Sequence, residues 1–597
     1  MTPAFSATSR SSTSSRPNPA QRLVSRGPRA RWNTSARVEG VDRSLASEVG
    51  VSPVAARVLR GRGHETKASV SRFLEAEGTL HDPWLLPDAE PAVARLHRAI
   101  QNRQGVAIFG DYDVDGLAST ALMQRTLERL NVPVWSRIPE RAHGYGLSVA
   151  AVEEAHARGA QLLLTVDNGV RAFEALQRAR ELGLDVIVTD HHEPDGANLP
   201  PALAIVNPKR EDSQYPFREI SGCAVAYKLL QAYLERHAPR HLDSFSARYA
   251  DLVALATIAD CMPLHDENRV LVRDGLRALC GTRKAGLRAL LQVANVRASN
   301  GMLGGTQVGM FVSPRLNAAG RMGEVGSALD LLLCNDEDES RRLAQVLDGH
   351  NTRRKELAGE MSLQALQLLD EFDVEGDAAF VLAREGWGHG MVGPLASRMV
   401  ERLGRPVIVL AIEGDMAHGS GRSVGGFDLG LVLEVSRDLI TEGGGHAGAC
   451  GVHLPAENVE AFRDRVRECV AERMGSERVE AEVRPECMIE SRELSSQLVS
   501  DFERFEPCGA SNHEPLLGMM GATIVDGRNI GAGGAHLKWR VKLGAQEFDA
   551  LWWSPGDKAD GFGLGARVDL GFTPQLNTFN GRTSLQLVIK HARVHEG

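Results

Sequence analysis

Short apolar runs alternate with longer amphipathic stretches from about residue 100 onward, and this alternation restricts the possible folds more than any other feature. The runs Val106–Phe109, Gln161–Val166 and Asp185–Thr189 are typical of buried strands. Helices are predicted between and after them, over Leu117–Leu130, Val149–Arg158 and Ala172–Leu182. This order predicts βαβ units, and therefore a parallel sheet covered by helices on both faces.

Acidic and imidazole side chains follow each predicted strand directly. The first strand continues into Gly110-Asp111-Tyr112-Asp113-Val114-Asp115-Gly116, the second ends before Asp167, and the third leads into Asp190-His191-His192. A further predicted helix, Tyr249–Ile258, ends close to Asp260. Ligands of open parallel sheets bind beyond the carboxyl ends of the strands, so these side chains are expected to meet at one edge.

Divalent cations are the simplest explanation for so many carboxylates in one place. Without cations, the carboxylates would repel and raise one another's pKa. Oxygen ligands with an imidazole suit Mn²⁺ or Mg²⁺. Two ions about 3.5–4 Å apart could share one carboxylate and stabilise both oxygens of a phosphoryl displacement. The alternative for any single aspartate is a helix N-cap, and it stays open for Asp111 in particular.

The rest of the chain is predicted to contain a long helix, a second α/β domain and an all-β barrel. Residues 336–372 have apolar side chains at helical spacing, no proline and two glycines, Gly349 and Gly359; the helix could bend near Gly349. Strands near Ala379–Ala383 and Val407–Ala411 indicate a smaller α/β domain. Short strands that indicate a closed barrel lie at Leu537–Leu543, Glu547–Trp553, Ala566–Phe572 and Ser584–Ile589. The predicted divisions are 41–335, 336–372, 373–478 and 479–597.

Residues 1–40 differ from the remainder in composition. They place arginines among serines and prolines and contain no acidic residue before Glu39. Such a segment cannot bury enough apolar surface to offset its ordering entropy, so a disordered basic tail is predicted. A transit peptide has similar composition, but an unstructured tail or an upstream start codon is favoured. The segment that follows is predicted to be helical, with Val58–Leu59 and Phe73–Leu74 as candidate core residues.

The composition excludes several classes of protein. No run of about 18 apolar residues is present, which excludes a membrane-spanning helix. The formal charge of −9 argues against a general nucleic-acid coat but leaves a local basic channel possible. The 8 cysteines form no CxxC pair, which excludes a zinc ribbon and favours reduced thiols in a cytoplasmic protein.

The acidic and histidine motifs resemble those of the DHH phosphoesterase superfamily. Further segments are similar to one branch, the RecJ single-stranded-DNA-specific exonucleases. These segments are His143–Ser148, Ile258–Leu264, Ser313–Arg321, Gly419–Ser423 and Gly443–Ala447. The likeness runs from about residue 50 to the C-terminus. It implies a parallel-sheet DHH domain, a smaller α/β DHHA1 domain joined to it by a long helix, and a C-terminal OB-like barrel.

The resemblance also implies a set of metal ligands. Asp113 and Asp167 would hold one ion, while Asp115, Asp167, His191 and Asp260 would hold the other. Asp167 would then bridge two Mn²⁺ or Mg²⁺ ions. Neighbouring side chains of an extended segment point to opposite sides, so one histidine of the pair can ligate while the next points elsewhere.

The remaining candidate catalytic residues are His192 and Asp190, which the resemblance implies, and Asp111. His192 would face the scissile phosphate, and Asp190 would orient the histidine pair. Asp111 would act as a cap or an orienting carboxylate. The family would hydrolyse single-stranded DNA from 5′ to 3′ by in-line attack of water, with the 3′-oxygen leaving and 5′-mononucleotides released.

Several polar segments would then contact the substrate. Ser313, Arg315, Asn317 and Arg321 are expected in a loop bounded by proline and glycine. Ser420, Arg422 and Ser423 are expected in a glycine-rich turn that could cradle a phosphate, with a tight loop as the alternative. His446 follows Gly443–Gly445, where the backbone could approach a ligand closely, and Arg141 could reach a 5′-phosphate. The segment Trp387–Gly393 departs from some relatives, because its histidine comes one position later.

Basic and aromatic residues are interleaved in the predicted barrel. The basic ones are Arg528, Lys538, Arg540, Lys542, Arg582 and Lys590, and the aromatic ones are Trp539, Phe548, Trp552, Phe572 and Phe579. An OB-like barrel binds single strands by stacking bases on aromatic rings above a basic groove. The alternative is that most of these rings fill the core; of Trp552 and Trp553, one is expected inside.

Three functions are compatible with parts of this pattern. The first is a single-stranded-DNA exonuclease of recombination and repair, a bacterial cytoplasmic monomer that works with single-strand-binding protein and a RecQ-type helicase. The second is a DHH phosphodiesterase for short oligoribonucleotides or cyclic dinucleotides, which the residues after about 480 count against. The third is a non-catalytic replication scaffold, in which the metal-binding motifs would be expected to have lost ligand residues. Every expected ligand position is filled, so an enzyme is favoured.

Overall fold

The structure is a computed structural model and describes residues 31–32, 39–76, 78, 80–140, 146–480, 482–559, 561–579 and 581–596. The predicted Arg141 contact, part of the segment His143–Ser148 and most of the basic tail lie outside these residues. Two tail residues depart from the predicted disorder: β1 (Arg31–Trp32) pairs in parallel with Glu482–Val483. The first helices are α1 (Glu39–Val49), α2 (Pro53–Gly61), α3 (Lys67–Glu75) and α4 (Ala89–Gln101).

A five-stranded parallel sheet forms the first α/β domain, in the order β3-β2-β4-β5-β6. Its strands are β2 (Val106–Phe109), β3 (Val134–Arg137), β4 (Leu162–Val166), β5 (Asp185–Thr189) and β6 (Ala204–Val206). Its helices include α5 (Val114–Arg129), α6 (Val149–Ala157), α7 (Phe173–Glu181) and α8 (Gly222–His237). The parallel sheet is confirmed, and the carboxyl ends of β2, β4 and β5 are adjacent.

A helical region completes this domain and leads into the long helix. Its helices are α9 (Leu242–Ala259), α10 (Asp266–Cys280), α11 (Ala285–Ala294), α12 (Gly305–Gln307), α13 (Ser313–Arg321), α14 (Val325–Leu333) and α15 (Glu337–Leu368). The long helix α15 is continuous through Gly349, and its N-cap Asp336 accepts from the Glu339 amide at 2.8 Å.

The prediction of a loop over Ser313–Arg321 is wrong, because these residues form α13. Pro314 was interpreted as a break, but proline fits the first turn of a helix, where its missing N–H would have no intrahelical partner. Leu316 and Ala319 of α13 are buried in the core of the first domain.

The second α/β domain has a mixed five-stranded sheet in the order β10-β11-β9-β8-β7. Its strands are β7 (Phe380–Glu385), β8 (Val407–Glu413), β9 (Met416–Arg422), β10 (Glu442–His446) and β11 (Ala449–Pro455). Its helices are α16 (Val392–Leu403), α17 (Leu429–Val435) and α18 (Val459–Met474). The turn expected at Ser420 and Arg422 is strand instead, because both residues lie in β9, and Gly443–Gly445 lie within the edge strand β10.

The C-terminal region forms the predicted barrel. After β12 (Glu482–Val483) come β13 (Cys487–Met488), α19 (Ser496–Glu503), β14 (Leu517–Ile530), β15 (His536–Leu543), β16 (Gln546–Trp552), β17 (Arg567–Phe579) and β18 (Arg582–Val594). Pairing of β14 with β17 closes the sheet. Trp552 is 4% exposed and Trp553 is 54% exposed, as expected for strand neighbours on opposite faces.

The N-terminal helices share the hydrophobic core of the barrel. Val58, Leu59 and Leu74 belong to the same buried cluster as the barrel residues, with Phe73 partly buried against it. Polar contacts support this packing, because Arg62 forms a bidentate pair with Glu486 at 2.6 and 2.8 Å. Sequence analysis had grouped these helices with the parallel-sheet domain.

Among the described residues, no helix combines the length and the apolar character that crossing a bilayer requires. All 8 cysteines are free thiols.

Candidate active site

The first acidic segment turns from β2 into α5. Asp113 is the N-cap of α5 and accepts from the Gly116 amide at 3.1 Å, so the capping aspartate is Asp113 and not Asp111. Asp111 is 3% exposed and Asp115, in the first helical turn, is 1% exposed. The segment therefore places its carboxylates at a helix N-terminus, where negative charge is favoured.

Asp115 is held by the start of a second helix. Its two carboxylate oxygens accept from the backbone amides of Gly222 and Cys223, each at 2.7 Å. Ser221 caps this helix, α8, and its Oγ accepts from the Ala224 amide at 3.2 Å. The sequence analysis missed these residues, although a serine before an apolar run is a usual signal of a helix N-terminus.

Asp167 occupies the end of β4 with a left-handed backbone conformation, φ 63°. Its amide donates to the Thr189 carbonyl of β5 at 2.9 Å. The following turn is fixed by Asn168, whose side chain donates to the Val166 carbonyl at 2.9 Å. Gly222 lies so close that a Cβ there would be 2.5 Å from Asp167 Oδ1. The chain thus packs Asp167 directly against the start of α8.

His191 brings the remaining carboxylates together. Its Nε2 lies 3.2 Å from Asp167 Oδ1, 3.5 Å from Asp260 Oδ2 and 3.7 Å from Asp115 Oδ2. Asp260 is the C-cap of α9. Among the described residues, His191 Nε2 and Asp260 Oδ2 are buried without a hydrogen bond of acceptable geometry.

Three overlapping groups of side chains have ligand atoms within 4.8 Å of one another and could hold cations. The groups are Asp111-Asp113-Asp167, Asp115-His191-Asp260 and Asp167-His191-His192. Asp167 belongs to two of them, as a bridging ligand would. The predicted ligands therefore do meet at one edge, and Asp111 lies with them. The donor set, carboxylate oxygens with an imidazole, fits hard divalent ions.

Burial and mutual repulsion shift the titration of these carboxyls. Burial and the neighbouring Asp113 raise the pKa of Asp115 to about 7. Burial with Asp115 and Asp113 raises the pKa of Asp260 to about 8. Burial and several neighbouring carboxylates raise the pKa of Asp167 well above its usual range. Ionisation of all these carboxyl groups is therefore unfavourable unless a positive charge is placed near them.

The two histidines are in opposite electrostatic situations. Burial and the positive charge of His192 lower the pKa of His191 to about 3, which keeps it in the neutral form that binds metals. Burial opposes protonation of His192 too, but the hydrogen bond and charge of Asp190 raise its pKa to about 9. Asp190 Oδ1 accepts from His192 Nδ1 at 2.8 Å and from the His191 amide at 2.7 Å, so it orients the pair.

Helix α13 links this edge to the second α/β domain. A Cβ on Gly320 would lie 2.9 Å from the Tyr112 carbonyl oxygen, so α13 packs on the acidic segment. Arg321, at the end of α13, donates to the Gly390 carbonyl at 2.7 Å. Gly390 lies in the turn His389–Met391 that precedes α16. The predicted substrate residue Arg321 is therefore at the junction of the two domains.

Ser420 and Arg422 lie on the other side of the same helix start. A Cβ on Gly393 would be 3.2 Å from Arg422 Nη2 and 3.5 Å from Ser420 Oγ. Arg422 Nη1 donates to Ser420 Oγ and to the Gly421 carbonyl, each at 2.7 Å. Arg321, Ser420 and Arg422 thus converge on the N-terminal end of α16.

Other predicted substrate residues do not join this group. Ser313 is buried, and Arg315 donates to Asp348 Oδ1 at 2.8 Å and to the Val293 carbonyl at 3.2 Å. Asn317 is half-buried on α13, Ser423 Oγ donates to the Phe427 carbonyl at 2.6 Å, and His446 is exposed on β10. The burial of Ser313 and the contacts of Arg315 indicate a structural role within the first domain.

The aromatic side chains of the barrel mostly fill its core. Trp539, Trp552 and Phe572 are 4% exposed or less, and Phe548 is half-buried. Trp553 is the exception, with its ring packed edge-on against His536 at 4.7 Å between centroids. Exposed basic side chains on the barrel strands include Arg528, Lys542 and Arg582.

Comparison with protein families agrees with this architecture. Residues 105–257 match the DHH family, N-terminal domain; residues 376–472 match the DHHA1 domain; and residues 486–591 match the RecJ OB domain. The fold and the site therefore define the class, a DHH-family protein with a DHHA1 domain.

Individual relatives are similar over nearly the whole chain. RecJ of Bacillus subtilis is 35% identical over 572 residues, which cover 95% of this chain and 71% of the relative. RecJ of Escherichia coli is 34% identical over 579 residues, or 92% of this chain and 97% of the relative. The chain belongs to the RecJ family of single-stranded-DNA-specific exonucleases. It is therefore an enzyme of the nuclease class, a hydrolase.

Solved structures match the fold as well. The crystal structure of RecJ from Thermus thermophilus in complex with Mn²⁺ has a TM-score of 0.79 and 31% identity, covering 95% of this chain and 80% of that chain. The Mg²⁺ complex of the same protein has a TM-score of 0.74 and 29% identity, covering 95% and 79%.

Proposed function

We propose that the chain degrades single-stranded DNA from its 5′ end and releases 5′-mononucleotides with the help of two divalent ions. One observation carries the proposal: Asp111, Asp113, Asp167, His191 and Asp260 converge with Asp115 at one edge of a RecJ-family sheet. The names of the curated relatives support the single-stranded substrate.

The two ions would share Asp167. Asp113 and Asp167 would hold one ion, joined by Asp111, whose oxygen is within 4.8 Å of both. Asp115, Asp167, His191 and Asp260 would hold the other. Mn²⁺ and Mg²⁺ are proposed because both ions are present in crystals of the Thermus thermophilus relative. When bound, the ions would neutralise the carboxylates and stabilise charge that develops on phosphate oxygens.

His192 is proposed to face the scissile phosphate. Asp190 orients the ring through Nδ1, and the side chain is 44% exposed, which supports a contact of the ring with substrate. A protonated His192 donates a hydrogen bond to a phosphate oxygen while water attacks phosphorus in line. The P–O3′ bond breaks, and the leaving 3′-oxygen takes up a proton.

The DNA backbone is proposed to run from this edge across the start of α16. The convergence of Arg321, Ser420 and Arg422 supports this path, because guanidinium groups bind phosphate. His446 on the exposed edge strand β10 extends it, and Arg141 keeps its predicted contact with a 5′-phosphate. On the barrel, Trp553 is the proposed stacking platform for a base.

The cellular role is proposed from family membership. It comprises DNA recombination and repair in the bacterial cytoplasm, as a monomer, with single-strand-binding protein and a RecQ-type helicase as partners. The domain divisions 41–335, 336–372, 373–478 and 479–597 stay proposals, supported by the matched ranges. By sequence, helices α1–α3 fall within 41–335, but they share the core of the barrel, so we propose to assign them to the barrel domain instead.

The test compares 5′- and 3′-labelled single-stranded DNA, duplex DNA and a dinucleotide, each with Mn²⁺ or Mg²⁺. Wild type is expected to release mononucleotides from the 5′ end of single strands, and Asp167→Ala is expected to lose this activity. Asp274→Ala is the matched control, because its side chain is 63% exposed on α10, away from the site. Activity confined to the dinucleotide would identify a short-oligonucleotide phosphodiesterase, and inactivity with both ions would contradict the proposal.

A further inference from the structure

Three histidines of the second α/β domain come together on one face of its sheet. His418 of β9 and His453 of β11 are directly paired across antiparallel strands. Their Nδ1 atoms are 3.1 Å apart, and their ring planes are at 83°. His389 lies in the turn before α16, with its ring centroid 5.6 Å from that of His418 and 6.1 Å from that of His453.

These separations are close to those of imidazoles that share one ion. With Zn–N bonds of about 2.0–2.1 Å, two nitrogens on one ion are roughly 3.0–3.4 Å apart. The ring centroids of such ligands are then roughly 4.5–5.5 Å apart. The pair His418–His453 fits at 3.1 Å between nitrogens and 4.7 Å between centroids. The ring centroid of His389 is farther from the other two, at 5.6 and 6.1 Å, so His389 has to move closer to share an ion with them.

The cluster is accessible to an ion from solvent. His389 is exposed, while His418 and His453 are half-buried. Two of the ligands stand on paired strands, whose backbone fixes the spacing of the side chains. The third, His389, lies in the turn Gly388–Gly390, which is anchored because the Gly390 carbonyl accepts from Arg321 at 2.7 Å.

The ligand type separates this cluster from the acidic centre. Imidazole suits zinc, copper and nickel, whereas carboxylate oxygen suits Mg²⁺, Ca²⁺ and Mn²⁺. A set of three nitrogens therefore selects a different ion from the one that an oxygen-rich site selects. His418 also alternates along β9 with Ser420 and Arg422, so the three side chains share one sheet face. An ion there would lie beside the proposed phosphate path.

We propose that His389, His418 and His453 form a further metal site, which takes Zn²⁺ or a similar borderline transition ion and leaves a position open for water or an anion. The site does not depend on the proposed nuclease activity, since none of its ligands belongs to the acidic centre.

The first test measures Zn²⁺ binding by calorimetry in saturating Mg²⁺, which occupies the oxygen-rich centre. Wild type is expected to bind one Zn²⁺ per chain more than His418→Gln or His389→Gln. His156→Gln, at an exposed histidine on α6, is the matched control and is expected to bind as wild type does. Equal stoichiometry in wild type and in the cluster variants would overturn the proposal.

A second readout addresses the ligands themselves. The electron paramagnetic resonance spectrum of one added Cu²⁺ per chain is expected to show hyperfine coupling to several imidazole nitrogens, with fewer in His418→Gln. A spectrum with only oxygen ligands would contradict the site. His389→Gln guards against misfolding, because its exposed turn makes the substitution mild; thermal unfolding of each variant checks that it is folded.

Discussion

Gly222→Ala tests whether the close packing of α8 positions the acidic centre. The new Cβ would lie 2.5 Å from Asp167 Oδ1 and 2.6 Å from Asp167 Cβ, whereas ordinary contact begins at 3.4 Å. Asp167 or the start of α8 must therefore move by about 1 Å, and a displacement of that size at a reacting centre costs about 10²-fold in rate. Because the Gly222 amide also holds Asp115, either movement changes the relation between these carboxylates.

The substitution adds no charge and removes no ligand, so its effect comes from position alone. The overpacking is also expected to cost about 1–3 kcal/mol of unfolding free energy. The assay is single-turnover cleavage of 5′-labelled single-stranded DNA with saturating Mn²⁺, together with thermal unfolding.

Gly349→Ala is the matched control for this substitution. A Cβ at Gly349 meets nothing within 4 Å, so cleavage should stay at the wild-type rate. The stability of α15 should rise by about 0.5–1 kcal/mol, because alanine is the better helix former. A folded Gly222→Ala enzyme that cleaves as fast as wild type would refute the positioning argument.

Three further predictions follow from the electrostatics and the exposed surfaces. In the metal-free protein, the pKa is raised to about 7 for Asp115 and to about 8 for Asp260, so the folded state binds these protons more tightly than the unfolded state. Tm should therefore fall as pH rises through 7 to 8, and the increase in Tm that Mn²⁺ produces should grow over that range. A constant Mn²⁺ increment would be inconsistent with this reasoning. Arg315→Ala should lower the free energy of unfolding by about 1–3 kcal/mol in urea denaturation, because the side chain donates hydrogen bonds to other residues of the protein. KM should change little. A raised KM with unchanged stability would instead indicate that Arg315 contacts the substrate. Trp553→Ala should weaken single-stranded DNA binding by about 1–3 kcal/mol in fluorescence anisotropy, unlike Leu564→Ala at another exposed apolar position of the barrel domain; equal effects of the two would exclude stacking.

The parallel sheet and its acidic edge were predictable because the signals are local. Strands β2 and β5 have the predicted bounds, since short apolar runs bounded by polar residues have few alternatives. Asp167 and Asp190 follow such strands, and parallel pairing then brings strand ends together without further information. The order of strands and helices along the chain is therefore enough to predict that these acidic residues meet at one edge of the sheet.

Glycine and proline misled the sequence interpretation where they serve packing. Gly419 and Gly421 lie within β9, and a Cβ on Gly421 would be 2.6 Å from Cys450 Sγ of the paired strand. Read locally, these glycines predict a turn. Only the neighbouring strand shows that the missing side chain makes room for sheet packing. Pro314 in the first turn of α13 is a similar case.

The contacts of the N-terminal helices could not be predicted from local patterns. The Ser52 amide donates to Asp501 Oδ2 at 2.6 Å, across most of the length of the chain. A contact between residues so far apart in sequence leaves no periodic pattern from which it could be predicted. The residues that hold the acidic centre are similar, because Ser221–Cys223 matter through Asp115, which is distant in sequence.

The ends of three helices explain why the acidic centre requires cations. Asp115 lies in the first turn of α5 and accepts from two backbone amides at the start of α8, and these hydrogen bonds oppose the burial that raises its pKa. Asp260 instead caps the C-terminal end of α9, where the helix dipole disfavours a negative charge, and its partner His191 is held neutral. The peptide backbone thus compensates one side of the cluster and not the other. A cation held by Asp260, His191 and Asp115 would supply the positive charge that the backbone does not provide at Asp260.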